Sequence, residues 1–200
     1  MARLRHTKNE LKKQKESLKR YNQYLPTLLL KKQQLQTERF KIHTAMEDIK
    51  KQRAYLKAEV YEWADVFAEK VSLEKLIALK EITTTTGNIA GIDIPVFEKT
   101  VFTETKYDFA RMPLWVDYAM NAIKKVITMN AKMEVLKKQD ALVHAELRVT
   151  TQRVNLFEKV KIPDAERNIN KIQISLGDAQ TAAVVTGKIA KAKILKAEHD

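Results

Sequence analysis

Three residues near the carboxyl end, Thr186-Gly187-Lys188, match the last part of a phosphate-binding loop. Such a loop also needs a glycine five residues before Gly187, where this chain has Ala182. It needs a Ser or Thr after the lysine to bind Mg²⁺, and Ile189 stands there. We therefore expect no nucleotide or other cofactor to bind at this motif.

The other residue types that could perform chemistry are isolated from one another. The chain has no cysteine, which excludes thiolate metal sites, disulfides and cysteine nucleophiles. None of the four histidines lies at metal-ligand spacing from another. The histidines are His6, His43, His144 and His199. A lone carboxylate such as Asp140 is not a general acid–base pair. We expect no catalytic residue and no metal site, and predict that the chain is not an enzyme.

Composition points to an elongated helical protein rather than a compact enzyme. The 200 residues include only four Gly and four Pro, too few for the turns of a β-sandwich or for glycine-dependent nucleotide folds. No apolar run approaches the roughly 20 residues of a membrane span. We expect a cytoplasmic protein without direct membrane insertion.

The net charge of +12 is unevenly distributed along the chain. Residues 1–57 carry a balance of +11, residues 58–118 one of −5, and residues 119–200 one of +6. Basic ends and an acidic middle predict different partners for the two regions, or solvated faces of long helices.

Heptad spacing predicts one long helix in residues 1–82, with a local bend at Pro26. The first seam series is Leu4, Leu11, Leu18, Leu25, Leu28, Leu35, Ile42, Ile49, Leu56 and Trp63. The second is Lys32, Arg39, Met46, Arg53, Val60 and Phe67. Three of these six are basic, so the seam is imperfectly apolar.

A second long helix is predicted for residues 113–200, opened by Pro113 and kinked rather than stopped at Pro163. One of its seam series is Ala122, Met129, Leu136, Val143, Thr150 and Phe157. The other is Ala119, Val126, Met133, Asp140, Leu147 and Val154. The pattern weakens after Leu176, and we expect the basic tail to fray.

Residues 83–112 predict a small β-hairpin at the tip of the helical hairpin, because β-branched residues and turn glycines replace the heptads. The predicted fold class is therefore all-α: a long antiparallel two-helix coiled-coil hairpin with a small β-hairpin near the chain middle. Partner numbers across such a hairpin would sum to about 190, which is the basis for pairing Arg53 with Asp140 as buried charges that fix the register.

Three blocks of sequence resemble the D subunits of the V-type and A-type rotary ATPases. The first is Leu29-Leu30-Lys31-Lys32-Gln33-Gln34-Leu35, within the segment 7–35. The second is Asn88-Ile89-Ala90-Gly91-Ile92-Asp93-Ile94-Pro95-Val96-Phe97-Glu98. The third is Arg153-Val154-Asn155-Leu156-Phe157-Glu158, followed by Ile162-Pro163, Glu166, Ile169 and Ile172. The blocks occur in the family's order across most of the chain.

This resemblance implies a central rotor shaft that binds no nucleotide and transmits torque between the catalytic ring and ion (H⁺ or Na⁺) transport. The implied partners are the catalytic and non-catalytic ring subunits, a small rotor-stalk subunit and a funnel-shaped subunit on the membrane rotor. The implied location is cytoplasmic, at the membrane periphery. Because the termini would lie inside the ring, we expect basic residues near them to contact its acidic loops. These residues are Lys12, Lys15, Lys19, Lys188 and Lys191.

Two other classes fit a basic coiled coil. The basic arms supply the phosphate contacts that a nucleic-acid-binding protein needs, although no recognition motif is present and the resemblance implies no nucleic acid partner. A helical scaffold is the other alternative. Salt-sensitive binding to random DNA would favour the first, and liposome flotation a scaffold at the membrane surface.

Overall fold

The computed structural model describes residues 4–62, 76–104, 113 and 115–197. Its elements are helix α1 (Lys8–Glu62), strands β1 (Ile77–Ile89) and β2 (Ile92–Glu104), and helix α2 (Trp115–Leu156). A π-helical turn (Phe157–Lys161) then leads into helix α3 (Ile162–Ala197). The predicted fold class, largely helical with a β-hairpin in the middle of the chain, is confirmed.

The chain divides into two compact units. Unit 1 combines Met1–Leu30 with Thr150–Asp200, and unit 2 is Lys31–Val149. Unit 2 therefore holds the β-hairpin together with most of α2, and unit 1 holds the chain ends.

The side chain of Thr7 caps the start of helix α1. The backbone N–H of Glu10 donates to Thr7 Oγ1 at 3.3 Å, which satisfies one of the free amides at the helix start. The buried residues of α1 are Leu35, Ile42 and Leu56, all on the predicted seam. Pro26 lies inside the helix. The helix is predicted to continue to residue 82, but Ile77 already begins β1, and residues 63–75 lie outside the described part.

Helix α2 begins two residues after Pro113, whose carbonyl accepts the N–H of Val116 at 3.1 Å. Its buried residues include the predicted seam positions Ala119, Ala122 and Val143. Within unit 2 it runs antiparallel to α1. Lys31 pairs with Glu146, and Glu59 with Tyr118. Both pairs of residue numbers sum to 177, so the predicted sum of about 190 is wrong.

Strands β1 and β2 form a two-stranded antiparallel sheet. They are joined by Ala90 and Gly91, both with positive φ (51° and 83°), as expected for a two-residue turn whose twist matches the strands. Glycine tolerates this conformation without a Cβ penalty. The pairing register shifts between Leu79 and Glu81 and again between Thr83 and Thr84. The sheet begins at residue 77, six residues before the predicted boundary at 83.

The β-hairpin lies along α2. The prediction that it stands at the tip of a helical hairpin is therefore wrong. At the turn, Ile89, Ala90 and Ile92 pack against a buried cluster. The members of this cluster are Leu35, Ile42, Ile94 and Val143. At the open end, a second cluster contains Leu76, Ile77, Val116 and Met120. A 13-residue strand and the helix between Val116 and Val143 each span roughly 40 Å, so the two elements match in length.

Candidate interaction surfaces

Polar contacts fix β2 to α2 between the two buried clusters. Gln139, 8% exposed, donates its side-chain amide to the carbonyl oxygen of Pro95. Thr128 donates its hydroxyl to the Lys124 carbonyl at 2.8 Å, so in the 2.9 Å pair with Thr100 it is Thr100 that donates. A buried amide left without a partner would be costly, so the Gln139 contact gives the hairpin a defined position.

Asp140 is the centre of a charged cluster between α1 and α2. Its Oδ1 atom lies 3.0 Å from Arg39 Nε and 3.2 Å from His43 Nε2. Asp140 is 24% and Arg39 33% exposed, so the pair is neither fully solvated nor fully buried. Two helical turns away, Lys31 Nζ lies 2.7 Å from Glu146 Oε1. These two ion pairs favour one axial register of the helices in unit 2.

The structure gives Asp140 a different partner from the predicted one. Arg53 is exposed, and it lies 14 residues beyond Arg39, or roughly 21 Å along α1. A charged pair lies at Asp140, and the residue that supplies its positive charge is Arg39. Arg39 belongs to the same predicted seam series as Arg53. With the observed sum of 177 in place of 190, Arg39 is the basic residue of that series closest to the position opposite Asp140.

Replacing Arg39 by alanine is expected to lower the free energy of unfolding by about 1 kcal/mol, since the pair is only partly shielded from water. Replacing the exposed Arg53 by alanine is expected to change it by less than about 0.5 kcal/mol. Urea titrations of both variants, and of each combined with Asp140→Ala, measure the coupling. Equal coupling of Arg39 and Arg53 to Asp140 would contradict the assignment.

Among the described residues of unit 2, two crevices are found, and neither has the features of a catalytic site. The first, about 210 Å³, is apolar except for Lys132 and Gln139. Lys132 Nζ lies over the Phe97 ring at 5.4 Å, and Gln139 is bonded to Pro95. The second, about 310 Å³, is lined by Gln36, Arg39, Phe40, His43 and Leu147. Its Arg39 and His43 are both engaged with Asp140.

Within the described ranges, no three His, Asp or Glu side chains are grouped so that they could hold a metal ion. Tyr118 donates its hydroxyl to Glu59, which raises the pKa of Tyr118 because the bond is lost when the phenol ionises.

No described helix is both long and apolar enough to cross a membrane.

The five lysines expected to contact a ring all belong to unit 1, and all are exposed. Lys12, Lys15 and Lys19 lie on α1 at spacings of three and four, and thus on one side of the helix. Lys188 and Lys191 lie on α3, three residues apart. Lys12 is 4.0 Å from Glu16 in a solvated pair that contributes little to stability. The lysine side chains therefore place exposed positive charge at two positions on unit 1, the first part of α1 and the last part of α3.

The second half of α3 is helical although it is unburied. Its buried residues, Ala165, Ile169 and Ile172, end at Ile172, and every residue from 177 to 195 is exposed. Large apolar side chains nevertheless continue along it. They are Ile174, Val184, Val185, Ile189, Ile194 and Leu195, which are 48–66% exposed. At about 100° per residue, all of these except Ile194 lie within an arc of roughly 140° around the helix, so this part of α3 presents one exposed apolar face. An exposed apolar face of this kind is typical of a helix that binds other protein. The predicted fraying is therefore not what the structure shows at 177–197, which is helix.

The geometry defines a class: an antiparallel helical protein with a docked β-hairpin, exposed lysines on two helices and an exposed apolar face on α3, suited to assembly with other chains. The family model that describes the D subunits of ATP synthases matches residues 10–192. The chain belongs to this family, the ATP synthase D subunits.

Curated relatives agree over nearly the full length of the chain. The D subunit of the V-type ATP synthase of Borreliella burgdorferi is 45% identical over 196 residues, covering 98% of this chain and 97% of that protein. The protein of the same name from Chlamydia pneumoniae is 32% identical, with coverages of 94% and 91%. That of Chlamydia caviae is 30% identical, with coverages of 100% and 97%.

Proposed function

We propose that this chain is the central rotor shaft of a V-type ATP synthase. In this role it transmits torque between ATP synthesis or hydrolysis in the catalytic ring and ion transport across the membrane. It is a non-catalytic subunit, and it works through its length, its stiffness and its surface. It is located in the cytoplasm at the membrane periphery, as part of the complex.

The observation that carries the proposal is the uncovered half of α3. Six large apolar side chains between residues 174 and 195 are about half exposed or more, although water disfavours such a surface. A ring of catalytic and non-catalytic subunits would enclose this helix and remove its apolar side chains from water. The lysines of unit 1 would then face acidic loops at the rim of that ring.

The shaft has further partners in this proposal. A small rotor-stalk subunit and a funnel-shaped subunit on the membrane rotor bind the region away from the chain ends, where residues 58–118 carry a net charge of −5. Because opposite charges then mark the two regions, the shaft would enter the ring in one orientation.

The test is reconstitution with the catalytic and non-catalytic ring subunits of the same organism, followed by sizing and an ATPase assay. We expect one copy of the chain per ring, together with altered ATP turnover. A chain truncated after Leu176 lacks the uncovered half of α3 and should bind the ring at least about tenfold more weakly, equivalent to roughly 1.4 kcal/mol. A ring that ignores the full-length chain would refute the proposal and would favour the nucleic-acid or scaffold alternatives.

A further inference from the structure

The π-helical turn at Phe157–Lys161 coincides with a one-residue shift in the buried face of the helix. Before the turn, burial follows the predicted heptads at Val143, Thr150 and Val154. Continuing those heptads would bury residues 164, 168 and 171. The buried residues are instead Ala165, Ile169 and Ile172, each one position later. The turn therefore inserts one extra residue into the helix. Because of this insertion, the buried side chains of α3 stay on the same side of the helix as the buried seam residues before the turn.

Proline supplies a physical reason for the insertion at this place. Pro163 has no backbone N–H, so the carbonyl four residues before it, that of Lys159, receives no α-helical hydrogen bond from it. The N–H of Ile162 donates to the carbonyl of Phe157, five residues earlier. Between residues 157 and 163, the helix thus contains a wider hydrogen-bonded turn and has one backbone N–H donor fewer than a regular α-helix.

The facing part of α1 within unit 1 has a weak point at a similar level. The rings of Tyr21 and Phe157 contact each other with centroids 5.3 Å apart. Pro26 follows Tyr21 by five residues, or roughly 7.5 Å, and removes the donor for the Asn22 carbonyl. Both helices therefore lack one backbone hydrogen bond close to the same aromatic pair.

We propose that residues 157–163 form a compliant joint in unit 1, a segment at which α3 bends and twists more easily than the continuous α-helices on either side. The π-helical turn contains one residue more than a regular α-helical turn. The backbone hydrogen bond that Pro163 cannot donate lowers the free energy needed to open the helix locally. The aromatic contact of Tyr21 with Phe157 keeps the helices together while the backbone deforms. The proposal of a joint is argued from the backbone of this segment and does not depend on the proposed function. Only the idea that torque passes through the joint rests on that function.

The experiment is hydrogen exchange followed by mass spectrometry on the full-length chain. Amides of residues 157–162 are expected to exchange at least about tenfold faster than those of residues 143–149, in the same molecule. In a chain with Lys159 deleted and Pro163→Ala, the heptads run through without interruption. We expect it to slow exchange in this segment about tenfold while leaving the helical circular dichroism unchanged.

Deletion of Lys138, an exposed residue of α2, is the matched control. This deletion shifts the heptads by one residue in a part of α2 that has no extra residue to lose, so we expect it to lower the midpoint of thermal unfolding. The Lys159 deletion removes the extra residue of the π-helical turn and is not expected to lower that midpoint. Slow exchange at residues 157–162 in the unaltered chain would overturn the proposal. So would a Lys159 deletion that destabilises the chain as much as the Lys138 deletion. Neither outcome depends on whether the chain joins a ring.

Discussion

Replacing Leu35 by alanine is expected to lower the free energy of unfolding by roughly 2–5 kcal/mol, the range for truncating a fully buried leucine. Leu35 is 0% exposed and packs with Ile42, Ile94 and Val143, so it joins α1, β2 and α2 in a single cluster. Its loss leaves a cavity at the place where the β-hairpin turn meets both helices. Urea unfolding followed by circular dichroism measures the change.

Leu30→Ala is the control for this substitution, because Leu30 is 57% exposed on the same helix. It removes the same atoms, and we expect an effect within about 0.5 kcal/mol. Hydrogen exchange adds a local readout, since the loss of Leu35 should increase exchange at residues 89–94 in the hairpin. Equal destabilisation by the two variants would mean that the cluster around Leu35 does not hold the hairpin in place.

Reversing the charge of the five lysines of unit 1 is expected to weaken assembly with the ring by at least about tenfold, or roughly 1.4 kcal/mol. The substitutions change Lys12, Lys15, Lys19, Lys188 and Lys191 to Glu. The five side chains are exposed, so their contribution to folding is small and the effect should fall on binding. Sizing of mixtures with the ring measures it, at low and at physiological salt, because screening over about 8 Å should reduce the difference.

The control reverses five exposed lysines of unit 2 and so produces the same net charge. They are Lys51, Lys80, Lys99, Lys125 and Lys138. If the position of the charges matters, this variant should assemble with the ring as the unaltered chain does. Equal weakening by the two sets would assign the effect to net charge alone and would remove the five lysines of unit 1 as specific contacts.

The apolar seam was predictable because the heptad period follows directly from helix geometry, and residues such as Leu35, Ile42 and Val143 are buried where it placed them. The axial register of the two helices was not predictable from that period, because the apolar seams would still match if one helix were shifted by seven residues along the other. The hairpin turn at Ala90-Gly91 offered a better reference, because the observed pairs are nearly symmetric about it.

The first part of β1 was missed because Ala78, Leu79, Lys80 and Glu81 are strong helix formers. Docking on α2 overrides that preference, since Ile77 is buried against Val116 and Met120. At the interaction surfaces, the exposed lysines could be recognised from charge alone. The selection of Arg39 and the buried bond of Gln139 could not, because both depend on long-range packing.

The attachment of the β-hairpin along α2 also has a consequence for the order in which unit 2 folds. The hydrogen bonds from β2 to α2 join residues 28 and 44 positions apart, whereas those from α1 to α2 join residues 101 and 115 positions apart. Closing a loop costs more entropy as it lengthens, by about 0.6 kcal/mol for each doubling. We therefore expect the hairpin and α2 to form the folding nucleus, with α1 joining a surface that is already assembled.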